Sequence, residues 1–269
     1  MIIHSAFYRF APVPDAQALA GVLRELTADV LGSVLVAPEG INGMVAANPE
    51  AVVAFEAALQ NDARLHGLFI GMAFKHSECE TPPFHRMKVH CKPEILPIGV
   101  AGVDAVKHHG VDVSPAQWRE LIAQDDVVLI DNRNSFEFKL GRFRNAVDPG
   151  VSHYRDFAAY VRDHAKEWKA QGKRVAMYCT GGIRCEKTSA WLAEVEPDLA
   201  VYQLEGGILN YFAAMPDAER DWQGECFVFD NRVAIDTRLR ETGTTAEDVF
   251  AGDSQEAWRL QRAQRLAKP

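Results

Sequence analysis

The feature that most constrains the fold is Val175-Ala176-Met177-Tyr178, a short apolar run that ends on Cys179 and two glycines. A run of this length between turn signals reads as a strand buried on both faces, the kind found in parallel sheets. Such a strand needs neighbours, and the surrounding sequence supplies them. Val127–Ile130 is a second continuous apolar run, followed by Asp131-Asn132-Arg133. Ala200–Leu204 is a third, ended by Gly206-Gly207. Helical spacing over 157–170 and 185–193 separates them, and Ser114-Pro115 with Trp118, Leu121 and Ile122 opens the region as a capped helix. Strands alternating with helices predict an α/β unit with a parallel sheet. Ligands in such sheets bind beyond the carboxyl ends of the strands, where 179–185 lies.

The first 76 residues follow another pattern. Ile2–Phe10 and Gly32–Ala37 read as strands, with a helix over 15–30 between them. Pro38–Gly43 reads as a turn whose Gly and Asn supply unusual backbone angles, and Gly43–Ala47 pairs back as a hairpin. Asn48 and Pro49 start a helix to Asn61, and Leu68–His76 is a last strand. The order βαββαβ is a ferredoxin-like α+β arrangement, a fold that by itself names no chemistry. The proline-containing segment 77–115 connects the halves, with Met87–Cys91 as one further strand. The predicted organisation is an N-terminal domain over 1–95, a linker and first helix over 96–120, a second domain over 121–219, and an extension over 220–269.

Apolar residues at 48% exclude disorder as the main state, and no apolar run reaches the roughly 18 residues of a membrane helix. The start of the chain lacks a secretory pattern, and five cysteines are sparse and odd in number, so a disulfide framework is not expected. These features predict a cytoplasmic protein. His76, His85, His90, His108 and His109 match no ligand spacing and read as scattered, with no metal site. The net charge is −8, yet residues 133–187 hold 12 basic against 6 acidic groups. That stretch is either a set of solvated faces or a seat for an anionic partner.

The strongest chemical signal is Cys179-Thr180-Gly181-Gly182-Ile183-Arg184-Cys185. Successive backbone N–H groups in such a loop form an anion cradle, and a helix N-terminus adds favourable potential. The same potential lowers a thiol pKa and increases the nucleophilic thiolate. Gly181 and Gly182 permit angles that side chains resist. Arg184 adds a fixed charge with a planar donor fork. A Cys-x5-Arg loop, as in cysteine phosphatases, wraps a phosphate; here the spacing is Cys-x4-Arg, which suits a sulfur carried on the cysteine.

These residues resemble the rhodanese domain. Leu129–Arg133, Glu137, Gly141 with Phe143 and Ala146, and Leu204-Glu205-Gly206-Gly207 follow its usual order. Arg142-Phe143 and Asn132 depart from it. The block Cys179–Trp191, together with Gly40-Ile41-Asn42-Gly43, Gly141–Ala146 and Gly224–Asp230, is similar to the rhodanese-containing tRNA uridine hydroxylases over about 1–240. That resemblance implies an enzyme that makes 5-hydroxyuridine at wobble position 34 of tRNA, with molecular oxygen as co-substrate and no other cofactor evident. Longer members carry a cysteine-rich tail; this sequence has no cysteine beyond Cys226.

By the same resemblance Cys179 is the catalytic cysteine, able to carry a persulfide, within an anion-binding loop of Thr180, Gly181, Gly182, Ile183, Arg184 and Cys185. Arg184 stabilises charge on it. Cys185 either resolves a persulfide or caps the next helix. Asp131 and Arg133 form an ion pair that shapes the loop, Glu137 binds backbone or a basic neighbour, and Cys226 is structural. Two chemical routes stay open: attack of Cys179 on uracil C6, or oxygen delivery by a persulfide or derived peroxy species. The expected partner is the tRNA anticodon loop, with no DNA and no membrane; oligomeric state is left open. Arg142, Arg144 and Lys187 lead the candidate RNA contacts, with Arg155, Arg162, Lys166, Lys169, Lys173 and Arg174, and Phe143 and Tyr154 are available for stacking. The alternatives are a thiosulfate-type sulfurtransferase acting through a Cys179 persulfide, and a non-catalytic module, which retention of Cys179 and Arg184 argues against.

Overall fold

The computed structural model describes residues 1–107 and 110–266, with side chains described through Gln264. His108, His109 and Ala267 lie outside them. The chain divides into two compact units that meet between Leu96 and Pro97.

The N-terminal unit contains β1 (Ile2–Phe10), α1 (Ala16–Leu26), β2 (Leu31–Ala37), β3 (Gly40–Ala47), α2 (Pro49–Asn61), β4 (Phe74–Cys79) and β5 (Met87–Cys91). They build one sheet in the order β4-β1-β3-β2-β5, with β5 parallel to β2 and the other pairs antiparallel. Asp15 starts α1 by accepting from Gln17 and Ala18 N–H, and Asn48 starts α2 by accepting from Ala51 N–H. Leu19, Leu23, Phe55 and Leu59 from the helices meet Phe7, Val34, Ile41 and Val45 from the sheet in one core.

Three boundaries differ from the sequence reading. The turn between β2 and β3 is only Pro38-Glu39, and Asn42 and Gly43 sit inside β3 opposite Tyr8 and Phe7. Helix α1 ends four residues early, at Leu26. The last strand of the motif begins at Phe74 rather than Leu68: Leu65, Phe69 and Met72 are buried from a series of turns, so their apolar character reflects core filling without strand pairing.

The C-terminal unit begins its sheet with β6 (Val111–Val113), followed by α3 (Pro115–Leu121), β7 (Val127–Asp131), α4 (Ser135–Leu140), β8 (Gly141–Phe143), α5 (Phe157–Ala170), β9 (Arg174–Tyr178), α6 (Ile183–Val195), β10 (Val201–Leu204) and α7 (Gly207–Ala214). After these come β11 (Trp222–Gly224), β12 (Cys226–Phe227), β13 (Ala234–Ile235), α8 (Ala246–Phe250) and α9 (Ala257–Leu266). The main sheet runs β6-β10-β9-β7 and is parallel throughout. Two short antiparallel ribbons, β8–β11 and β12–β13, flank it.

Side chains alternate across the parallel strands. Leu129, Ala176, Tyr178 and Leu204 join Trp118 of α3 and Ile208, Tyr211 and Phe212 of α7 in one core. Helices α5 and α6 pack on β9. Trp118 and Leu121 share that core, which ties the helix starting at Pro115 to the sheet. Among the described residues no helix is long and apolar enough to cross a membrane, and no three His, Cys, Asp or Glu side chains cluster as a metal site.

Candidate active site

Cys179 follows β9 directly, and α6 begins four residues later. The connecting turn needs Gly182 at φ 100°, a left-handed conformation that a β-carbon resists. Gly181 has no such requirement, and a Cβ built there meets nothing within 4 Å. The turn brings backbone donors back onto the sulfur: the Gly182 N–H donates to Cys179 Sγ at 3.2 Å. Burial by itself raises the Cys179 pKa. The Cys185 thiol, the Arg184 charge and the N–H groups of Cys185 and Arg184 outweigh it and lower the pKa to about 5. Cys185 is its opposite. Burial, the hydrogen bond it gives Cys179 and the negative charge there hold it well above the ordinary thiol range. One sulfur is a thiolate at neutral pH and the other is its protonated donor.

Arg184 is buried and forked onto Glu137, with Nη1 to Oε2 at 2.8 Å and Nη2 to Oε1 at 2.9 Å. Its Nη2 also lies 3.3 Å from Thr180 Oγ1. Burial pushes the Glu137 carboxyl up, but Arg184, Arg133 and the Asn134 N–H at 3.1 Å bring it below its ordinary value. Glu137 therefore serves both readings proposed for it, backbone partner and partner of a basic side chain. It sits in the first turn of α4, where a carboxylate complements the unpaired N–H groups.

Asp131 and Arg133 form the expected ion pair, at 2.8 and 2.6 Å, with neither side chain exposed. Tyr178 donates to Asp131 at 2.7 Å, and Arg133 donates to Gly141 O at 2.6 Å. The Arg133 guanidinium also lies 5.3 Å from the Trp222 ring centroid. Arg133 Nη1 is buried with no hydrogen-bond partner. Cys226 is fully buried, and burial pushes its thiol up to about 12, so it is unreactive.

Helix α7 closes the loop from the other side. Ile208 N–H donates to Cys179 O at 3.0 Å and Leu209 N–H to Thr180 O at 3.1 Å. Gly207 makes this approach possible: a Cβ there would lie 2.7 Å from Gly182 N and Thr180 O and closer still to Cys179 O. The Gly206-Gly207 pair read as a strand end is thus also a clamp.

The RNA-contact residues named above separate into two groups. Arg144, Arg155, Arg162, Lys166 and Lys169 are exposed, whereas Arg142, Lys173 and Arg174 are half-buried. Arg142 lies 4.7 Å from the Phe138 ring centroid, and Arg174 is forked onto Asp126 at 2.8 and 2.7 Å. Three expectations are corrected. Lys187 is 1% exposed, on the inward side of α6 with Thr188 and Ser189, and cannot meet a phosphate at the surface. Phe143 is fully buried between Tyr178, Tyr211 and Trp222, so no base stacks on it. Tyr154 is buried too; its hydroxyl donates to Arg184 O at 2.9 Å and lies 3.0 Å from Thr188 Oγ1. Asn132, which departs from the rhodanese pattern, joins this network by donating to Thr188 Oγ1 at 2.9 Å. Nothing in its position next to two charged residues separated this second supporting layer from the ion pair.

A parallel sheet with a thiolate-bearing loop at the carboxyl end of a central strand defines a rhodanese-type protein. Residues 114–214 match the rhodanese-like domain, and residues 2–95 match the UPF0176 acylphosphatase like domain. The chain is 44% identical to a tRNA uridine(34) hydroxylase of Nitrobacter winogradskyi, over 90% of this chain and 94% of that one. It is 45% identical to the protein of that name from Bradyrhizobium diazoefficiens, over 88% and 92%. The one from Nitrobacter hamburgensis is 41% identical, over 90% and 94%. The chain belongs to the tRNA uridine(34) hydroxylase family.

Proposed function

We propose that the protein hydroxylates C5 of the wobble uridine of tRNA, using molecular oxygen and acting through Cys179. The observation that carries this reading is the Cys179 thiolate, held by Gly182 and Cys185 and backed by the Arg184–Glu137 fork, in a chain matching named hydroxylases along nearly its whole length. The loop donors stabilise negative charge on sulfur or on an atom attached to it. Cys179 has no exposed surface, so a base meets its Sγ only if the residues that cover it move. Sulfane sulfur transferred to the Cys179 thiolate from a donor such as thiosulfate, with sulfite leaving, puts the reactive atom one bond beyond Sγ, which favours the persulfide route over direct attack on C6. The anticodon loop binds through exposed cations such as Arg144, Arg155 and Lys166, consistent with work in the cytoplasm.

The test is nucleoside mass spectrometry of tRNA from a host lacking the modification, expressing wild type or Cys179→Ala. Wild type yields 5-hydroxyuridine and the variant none, and isotopically labelled oxygen gas transfers its label to the product. Absence of 5-hydroxyuridine, with sulfur transfer from thiosulfate in vitro, would replace this reading with the sulfurtransferase. A covalent tRNA adduct with wild type, stable to denaturation, would restore direct attack on C6.

A further inference from the structure

The sequence block Gly224–Asp230 contributes an exposed aromatic, Phe229. Phe229 is 49% exposed. A single exposed apolar residue is ordinary. This one differs in where it lies and how it is held.

Its ring centroid is 5.9 Å from the Arg184 guanidinium carbon, so it borders the group that faces the Cys179 loop. The ring rests edge-to-face on Phe227 at 5.0 Å, and Phe227 in turn packs on Phe136 at 4.9 Å and Phe250 at 5.8 Å. One side of Phe229 is therefore anchored while about half its surface meets solvent.

The segment that carries it is closed on itself. Val228 N–H donates to Val233 O at 2.9 Å, and Val233 N–H donates to Asp230 O at 3.1 Å. Asp230 accepts twice from Arg232, at 2.8 and 2.7 Å, with side chains 0% and 2% exposed. Val233 is held at φ 62°, a conformation that β-branched residues rarely adopt. A buried ion pair and a strained valine thus fix a short turn whose outermost apolar side chain is Phe229. That arrangement presents a preset π-face beside the site, with little ordering left to do on binding.

The ligand chemistry that fits is a planar base. Aromatic rings stack on any nucleobase, so the exposed part of the Phe229 ring offers a base a π-surface. Phe143 and Tyr154 are both too buried for this role. We propose that Phe229 is the stacking platform for the target pyrimidine beside the Cys179 loop. The inference rests on the tRNA reading above and names the residue that receives the base.

The experiment uses the full chain and an anticodon stem-loop carrying 5-iodouridine at the wobble position. Irradiation breaks the carbon–iodine bond and joins the base to an aromatic ring stacked on it; peptide mapping then locates the link. The expected link is at Phe229. In steady-state assays on the unmodified stem-loop, Phe229→Leu raises KM roughly 10- to 100-fold with kcat changed far less, while Phe229→Trp restores KM. Thermal midpoints of both variants stay at the wild-type value, which separates stacking from folding. A link elsewhere, together with Phe229→Leu keeping KM within about twofold, overturns the platform and leaves the hydroxylase reading standing. Wild type that modifies neither the stem-loop nor whole tRNA overturns the hydroxylase reading, and the platform with it.

Discussion

The two units bury different things. Among the described residues, the N-terminal unit buries only His4, Ser5 and Thr27 as polar side chains, around a core of aliphatic and phenylalanine residues. The C-terminal unit buries Asp131, Arg133, Glu137, Arg184, Lys187, Arg232 and Glu256, several of them in ion pairs. Taking charges out of water is costly, and replacing such pairs with apolar residues often costs no stability. The first unit is therefore built for folding. The second accepts a cost whose return is position: the Asp131–Arg133 and Glu137–Arg184 pairs hold the segments around Cys179.

Variants that remove half of a pair test this contrast most severely. Arg133→Met strands Asp131 away from water and removes the donor to Gly141 O; urea denaturation is expected to show a loss of about 3–5 kcal/mol. In the first unit the comparable change is to packing. Leu23→Ala empties a fully buried site and lowers stability by about 3 kcal/mol in the same assay. It leaves the reactivity of Cys179 at its wild-type value, whereas Arg133→Met does not.

A third measurement concerns charge at the thiol. The thiolate is the reactive form, so iodoacetamide labelling of Cys179 rises with pH through a half-point at about 5 and is level by neutral pH. Arg184→Met removes a charge that lowers this pKa, so its half-point moves to higher pH; an unmoved half-point would assign the thiolate to the Cys185 thiol and the backbone N–H groups. The smallest effects are on the surface. Asp15→Ala removes two capping bonds at α1 and costs about 1 kcal/mol by thermal melting. Arg144→Glu lowers tRNA affinity and flattens its dependence on salt, with a slope smaller by roughly 1.

How much of this was legible depended on whether a residue's role was local. Helix α2 was readable because Asn48 and Pro49 mark its start, and α5 and β9 because their patterns are long or unbroken. Cys179, Arg184 and the paired Asp131 and Arg133 were readable because their spacing within one loop or strand end fixes their meeting. Helix α4 was not read, since six residues show no periodicity; its only signal was Asn134 three residues before Glu137. Lys187 reads from sequence as a surface cation, because burial of a lysine in α6 depends on what packs around the helix. Phe229 carries no local signal, because its neighbour Arg184 lies 45 residues earlier, a proximity created only by folding.

The clamp by α7 has a consequence for how the site is lost. The amide protons of Ile208 and Leu209 are engaged by carbonyls of the Cys179 loop, while Ile208 and Tyr211 of the same helix sit in the core. Exchange of those two protons with solvent deuterium therefore requires the loop and the helix to open together, as one cooperative unit. Their protection factors report the integrity of the catalytic loop directly. A bound anion at Cys179 slows their exchange, although it touches neither residue.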